Sequence, residues 1–300
     1  WNTDVYGRRY RANCPDGDRE VPGTVRRRAG DMFLTDPRRC KVGPEVLAEA
    51  GLSQTQIEAM LKVYSGPVNP RTGERIFHGL MPGTEGDVLL MRQQDPEWVA
   101  NQTYVFKWAF GPDFDYKTFD FDKDMDFVDR KLASAVNAVS ADLSAFRENN
   151  GKLIILQGTA DSAVSMYDNI SYYEEVVERA GGLEAAQKFA RFFIIPGMAH
   201  LLGGPGLQDV GQCVSSKEVP QDTEHNVLTA MMEWVENGRV PESLIATGYD
   251  SVHPISGEGT GVRFQRPVYP YPLFSEYIGG DVNDPNSYRG TAHERGADLV

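Results

Sequence analysis

An α/β fold with a parallel sheet is what the second half of this chain predicts, on three observations. Lys152-Leu-Ile-Ile-Leu156 is an unbroken apolar run, the pattern of a strand buried on both faces. Arg191-Phe-Phe-Ile-Ile195 is a second such run, and an amphipathic helical stretch over about 165–179 lies between them. Strand, helix and strand in that order need a crossover, and a crossover makes the strands parallel.

The elements follow in order. The first strand opens into Gly158-Thr-Ala-Asp-Ser-Ala-Val164, a loop of small residues. The helix after it ends at Gly181-Gly182, and a helical Leu-Glu-Ala-Ala-Gln-Lys-Phe-Ala stretch (183–190) leads into the second strand. That strand gives way to Pro196-Gly-Met-Ala-His-Leu-Leu-Gly-Gly-Pro205. A last helix, over about 223–237, is expected to bury Val227, Met231, Trp234 and Val235 before Gly238 stops it. Residues 1–150 read differently, as turn-rich irregular chain, so the division falls at 1–150 and 151–300. Two helices stand out there. Ser53 is a fitting N-cap for a helix carrying Ile57, Met60, Leu61 and Tyr64, stopped by Gly66. A second, over about 122–139, places Met125, Val128 and Leu132 on one face. Between them residues 98–122 are dense in aromatics, which suits either core packing or a groove for a ring-bearing ligand.

Composition narrows the function. The chain has 300 residues, enough for one large domain or a domain with an insertion. A net charge of −13 argues against nucleic acid and against anionic lipid surfaces. The basic clusters at Tyr6–Arg11 and Arg26-Arg27-Arg28 read as solvated surface. No apolar run approaches the roughly 18 residues of a membrane helix. Trp1-Asn2-Thr3-Asp4 has neither the basic nor the apolar region of a signal peptide and no Met, so the sequence reads as a mature or processed product and export stays open in both directions. Of three cysteines, Cys14 and Cys40 flank a Gly/Pro/Asp-rich loop and are able to pair, which would leave Cys213; the pairing is open until the redox compartment is known. The triplets Asn101-Gln-Thr103 and Asn169-Ile-Ser171 are glycosylation sequons that also arise by chance. His78, His225, His253 and His293 are scattered and suit surface or structural roles.

In an open parallel sheet, reactive groups sit in the loops past the carboxyl ends of the strands. Here each loop offers one group for proton chemistry: Asp161 after the first strand and His200 after the second. Either alone has a bland reading, a turn-forming Asp or a structural His. Together they match the acid-then-base order of an α/β-hydrolase, in which a carboxylate orients a histidine during nucleophilic catalysis.

The stretch GKLIILQGTADSAVSMYDNISYYEEVVERAGG, with RFFIIPGMAHLLGGPG after it, resembles the tannase and feruloyl esterase family of α/β hydrolases, to which mono(hydroxyethyl) terephthalate hydrolases belong. The similarity extends through FKWAFGPDFDYKTFDFDKD, SADLSAFRENNGK, MMEWVENGRVPESLIAT and RPVYPYP, and so covers most of residues 14–288. The resemblance implies an α/β-hydrolase C-terminal core over 151–300 with an irregular, mostly loop-and-helix lid domain over 1–150. It makes Asp161 the triad acid and His200 the base. It implies an aromatic-acid ester as substrate, held by lid aromatics such as Tyr104, Phe106, Trp108 and Phe110, and a secreted or periplasmic location.

Three departures stand out. The family's Cys-Ser-x-Gly-Gly nucleophile motif has no counterpart here, nor does G-x-S-x-G; Ser65 and Ser256 sit in plain turns. The nucleophile is therefore expected on an N-terminal segment or a companion chain. Leu201 stands where the family has a Cys bonded to the Cys beside the nucleophile, and Tyr269 where it often has another. The family's calcium loop survives only as Asp16, Asp18 and Glu20, with Pro15 and Pro22 in place of carboxylates. That loop reads as an acidic turn or a weakened calcium site, and the reaction itself needs no cofactor. The expectation is a serine carboxylesterase, incomplete as 300 residues. Its rival is a non-catalytic binding or structural remnant of a degenerate hydrolase.

Overall fold

A computed structural model describes residues 31, 33–87, 95–213, 216–253 and 256–293. The early chain forms short helices: α1 (Pro44–Glu49), α2 (Gln54–Ser65), α3 (Pro96–Gln102), α4 (Tyr104–Phe110), α5 (Met125–Val128) and α6 (Ser144–Glu148). Helix α2 begins at Ser53 in a reciprocal capping box with Gln56, and Gly66, at φ 77°, ends it. Its Ile57 and Met60 are buried against Leu47 of α1. Helix α5 runs on through a π-helical turn (Asp129–Ala133) and a last turn to Val136. Met125, Val128 and Leu132 are its partly covered face, and none is fully buried.

Strand β1 (Leu153–Gly158) pairs in parallel with β2 (Ala190–Ile195), Leu153 opposite Ala190 and Gly158 opposite Ile195. Helix α7 (Met166–Ala180) and α8 (Leu183–Gln187) make the crossover, and Gly181 closes α7 in the left-handed conformation. The two faces of β2 feed two cores. Phe192 and Ile194 pack with Ile170, Tyr173 and Val176 of α7. Phe193 and Ile195 pack with Ala230 of α9 (Val227–Asn237) and with Leu244, Ala246 and Val268 beyond it. Each buried Val, Leu, Ile or Phe among these contributes about 2 kcal/mol by leaving water.

Sequence and structure differ in three places. β2 is buried throughout, but Leu153–Leu156 of β1 are only partly covered. The cause is pairing. On its far side β2 meets Pro270 and Tyr271, whereas β1 has no second strand among the described residues. Helix α9 starts four residues later than its periodicity suggests, because Asn226 caps it by accepting from the Leu228 and Thr229 amides. Its buried face runs through Ala230 and Trp234, and Val235 is 60% exposed. Third, two antiparallel pairs follow: β3 (Leu244–Val252) with β4 (Gly259–Val268), and β5 (Leu273–Tyr277) with β6 (Tyr288–Ala292). Their alternation is broken by Gly248, Gly261 and Pro267, which hides it from a period-two reading.

Two polar links tie distant chain together. Asp36 takes bonds from Arg38 Nε (2.8 Å) and His293 Nδ1 (3.0 Å). Burial alone would raise the Asp36 carboxyl, but those bonds hold it below its ordinary range. Arg266 forms a two-pronged pair with Asp31 (2.7 and 2.8 Å) and lies over the rings of Phe33, Phe264 and Tyr288. Cys40 is disulfide-bonded and Cys213 is a free, exposed thiol. Cys14, the proposed partner of Cys40, lies outside the described residues, as do the basic clusters at 6–11 and 26–28. Among the described residues no helix is long and apolar enough to cross a membrane.

Asp168, in the first turn of α7, has a buried Oδ2 with no hydrogen-bond partner among the described residues, and burial pushes its carboxyl up to about 6. A raised acid costs stability while it is ionised in the fold; the cost is full above pH 6 and gone below its ordinary value of 3.8. Asp168 is half-buried, so solvent screening leaves about 1 kcal/mol of that cost. Asp168→Asn should therefore raise stability by about that amount at pH 8 and by nothing at pH 3.5, read from denaturant midpoints.

Candidate active site

Parallel pairing delivers both expected groups to the same end of the sheet. Thr159 N–H continues the ladder by donating to Ile195 O at 3.1 Å, and Ala160 N–H donates to Met198 O at 3.0 Å. The two loops thus run side by side from the first residue after each strand. Gly158 makes this possible: a Cβ there would overlap the Met198 carbonyl oxygen, a backbone atom that cannot step aside.

Asp161 and His200 meet across this seam, His200 Nδ1 lying 3.0 Å from Asp161 Oδ2. Asp161 is 6% exposed. Its Oδ1 accepts from the Ala163 and Val164 amides at 2.8 and 3.0 Å, so the carboxylate cannot swing away. With the carboxylate as acceptor, Nδ1 is the nitrogen that donates, and in the neutral ring the Nε2 lone pair faces away from Asp161. The His200 side chain is 34% exposed, within reach of solvent.

Sequence reasoning did not find the side chains that brace these loops. Gln157, buried at the end of β1, donates from Nε2 to Gly158 O (3.0 Å), to Val164 O (3.3 Å) and weakly to Asp161 Oδ2 (3.4 Å), so it joins both shoulders of the Asp161 loop. Asn169 Nδ2 donates to Gln157 Oε1 and fixes which way that amide points. The sequon asparagine is thus engaged inside the site. Past His200, Gln212 Nε2 donates to Leu201 O at 3.0 Å and to Gln208 O at 2.9 Å. Leu201 itself has φ 68°, and Leu202 N–H closes a three-residue turn on His200 O at 2.9 Å. A branched side chain in that conformation costs about 1 kcal/mol.

The four aromatics expected to hold substrate all lie on α4 but not on one face. Phe106 and Phe110 turn inward, Phe110 stacking on Phe114 with centroids 4.2 Å apart and Phe106 lying tilted against Phe119 at 4.8 Å. Tyr104 and Trp108 stand on the other side, 5.1 Å apart edge to face, exposed at 49% and 55%. The other histidines have partners elsewhere: His78 with Ser171, His225 with Asp222, His253 with the Ser256 amide and His293 with Asp36. Ser65 ends α2, and Ser256 lies in the turn between β3 and β4. Among the described residues no three His, Cys, Asp or Glu side chains converge to hold a metal. Asp16 and Asp18, the candidate calcium ligands, lie outside the described residues.

The sequence matches the family profile described as tannase and feruloyl esterase across residues 7–291. The chain belongs to that family. This family member is 35% identical over 306 residues to an uncharacterized esterase of Xanthomonas campestris pv. campestris, covering 90% of this chain and 52% of that protein. It is 29% identical over 253 residues to feruloyl esterase C of Talaromyces stipitatus, covering 83% of this chain and 46% of that one. In fold it resembles the crystal structure of an esterase from Aspergillus oryzae, with TM-score 0.78 at 24% identity over 96% of this chain and 56% of that chain. The tannase and feruloyl esterase family member described here thus spans about half the length of the relatives it matches.

The seam at Gly158 gives a direct test of the loop geometry. Gly158→Ala must push the Met198 segment away, at a cost of about 1–3 kcal/mol. The expected result is a lowered melting temperature together with a disturbed His200 ring environment by NMR.

Proposed function

We propose that this chain supplies the acid and base of a Ser-His-Asp ester hydrolase, with the nucleophilic serine on polypeptide outside these 300 residues. The observation that carries the reading is the 3.0 Å contact between His200 and a buried Asp161 already held by two amides. His200 Nε2 takes the proton of the serine hydroxyl as its oxygen attacks the ester carbonyl. Asp161 stabilises the imidazolium that results. The same proton passes to the departing alcohol, leaving an acyl-enzyme. Water, deprotonated by His200, then releases the acid and restores the serine.

On this reading residues 1–150 form the lid and residues 151–300 the C-terminal part of the hydrolase core. The substrate is an ester of an aromatic acid. Tyr104 and Trp108 offer it open ring faces, and Phe106 and Phe110 hold α4 in place beneath them. Relatives named as feruloyl esterases support the substrate class.

Natively purified protein, together with whatever polypeptide carries the serine, should take a fluorophosphonate label and hydrolyse methyl ferulate. His200→Ala and Asp161→Asn should each lower kcat about 10⁴-fold, with folding unchanged by circular dichroism. A preparation spanning the full length of the relatives that neither labels nor turns over ester would overturn the proposal and leave the non-catalytic remnant.

A further inference from the structure

Three successive amides of the Asp161 loop are held by two carboxylates, and only one of these is Asp161 itself. Asp161 Oδ1 takes the amides of Ala163 and Val164. The amide before them, Ser162 N–H, donates to Asp87 Oδ2 at 3.1 Å, and the Ser162 hydroxyl donates to the same oxygen at 2.7 Å. Asp87 lies 75 residues upstream and is 9% exposed. The Ser162 amide shares its plane with the Asp161 carbonyl, so anchoring it fixes the backbone torsion next to the Asp161 α-carbon. Bonds to a carboxylate are the stronger kind, and partial burial limits the water that competes for them.

Neighbouring hydroxyls fasten the same loop to the same early part of the chain. Thr159 Oγ1 donates to Leu34 O at 3.1 Å, and Ser165 Oγ donates to Gly79 O at 2.7 Å. Ser165 is the N-cap of α7, yet its hydroxyl makes no cap bond and turns to Gly79 instead. At positions 159, 162 and 165 the loop is thus bonded to upstream chain, while Asp161 turns the other way, toward His200.

We propose that Asp87 is a positioning residue for ester hydrolysis. Acting through Ser162, it sets the direction in which Asp161 presents Oδ2 to His200, and it makes that direction depend on how the upstream chain is seated. This rests on the reading of Asp161 and His200 given above.

The test uses the natively purified, ester-hydrolysing preparation. Asp87→Ala should lower kcat about 10- to 100-fold while KM changes less than about threefold. Asp87→Asn keeps one acceptor oxygen and should recover most of the rate, which also covers the case in which the alanine variant folds poorly. Ser162→Ala should fall less, because its amide remains. Combining it with Asp87→Ala should cost nothing beyond Asp87→Ala alone, since both cut one link. The downfield Nδ1–H proton signal of His200 should weaken in Asp87→Ala and survive in Asp87→Asn. Additive losses in the double variant, a rise in KM in place of a fall in kcat, or an unchanged rate and proton signal in Asp87→Ala would each overturn the proposal. Failure of the underlying esterase reading shows separately, as turnover that survives Asp161→Asn.

Discussion

The parallel, in-register pairing of β1 with β2 is the constraint on which the site depends. Strand partners Gly158 and Ile195 end together, so two loops separated by a whole crossover helix start within hydrogen-bond reach of each other. A slip of one residue would turn every side chain of one strand to the opposite core and part the loops. The register is fixed because Phe192 and Ile194 belong to one core and Phe193 and Ile195 to the other. Packing along both faces of the sheet thereby determines the 3.0 Å contact between His200 and Asp161.

The electrostatics of that contact follow from how Asp161 is held. Its bonds come from backbone amides, from Gln157 and from His200, and no Lys or Arg forms an ion pair with it among the described residues. Neutral donors fix a carboxylate in place without cancelling its charge. On the proposed mechanism that negative charge faces the imidazolium as it forms, in a setting that needs no rearrangement at that moment. Gln157, Asn169 and Asp87 brace the loop by hydrogen bonds, and Asp161 carries the carboxylate that faces His200.

Much of this was legible in the sequence, and for local reasons. Ser53, Gly66, Gly181 and Gly238 mark helix ends through interactions that span only a few residues. Asp161 and His200 stood out because each follows a short apolar run bounded by glycine, the pattern of a strand in a parallel sheet. Legibility ends where partners are remote. The bond from Ser162 to Asp87 spans 75 residues and that from Thr159 to Leu34 spans 125, and neither leaves a periodic trace. The antiparallel strands after residue 244 were hidden by their own glycines and prolines. The partial exposure of β1 was unreadable because an apolar run does not report how many neighbours the strand has.

The two long-range polar links described for the fold also set how far the chain can be shortened. Arg266 is buried against Asp31, and Asp36 is buried against His293. Trimming from the front past Asp31 would strand a guanidinium among three aromatic rings. Trimming from the back past His293 would strip a fully buried carboxylate of one of its partners. A minimal piece of this polypeptide that keeps these interior partners therefore runs at least from 31 to 293, with the boundaries drawn by two side-chain contacts and not by any strand or helix.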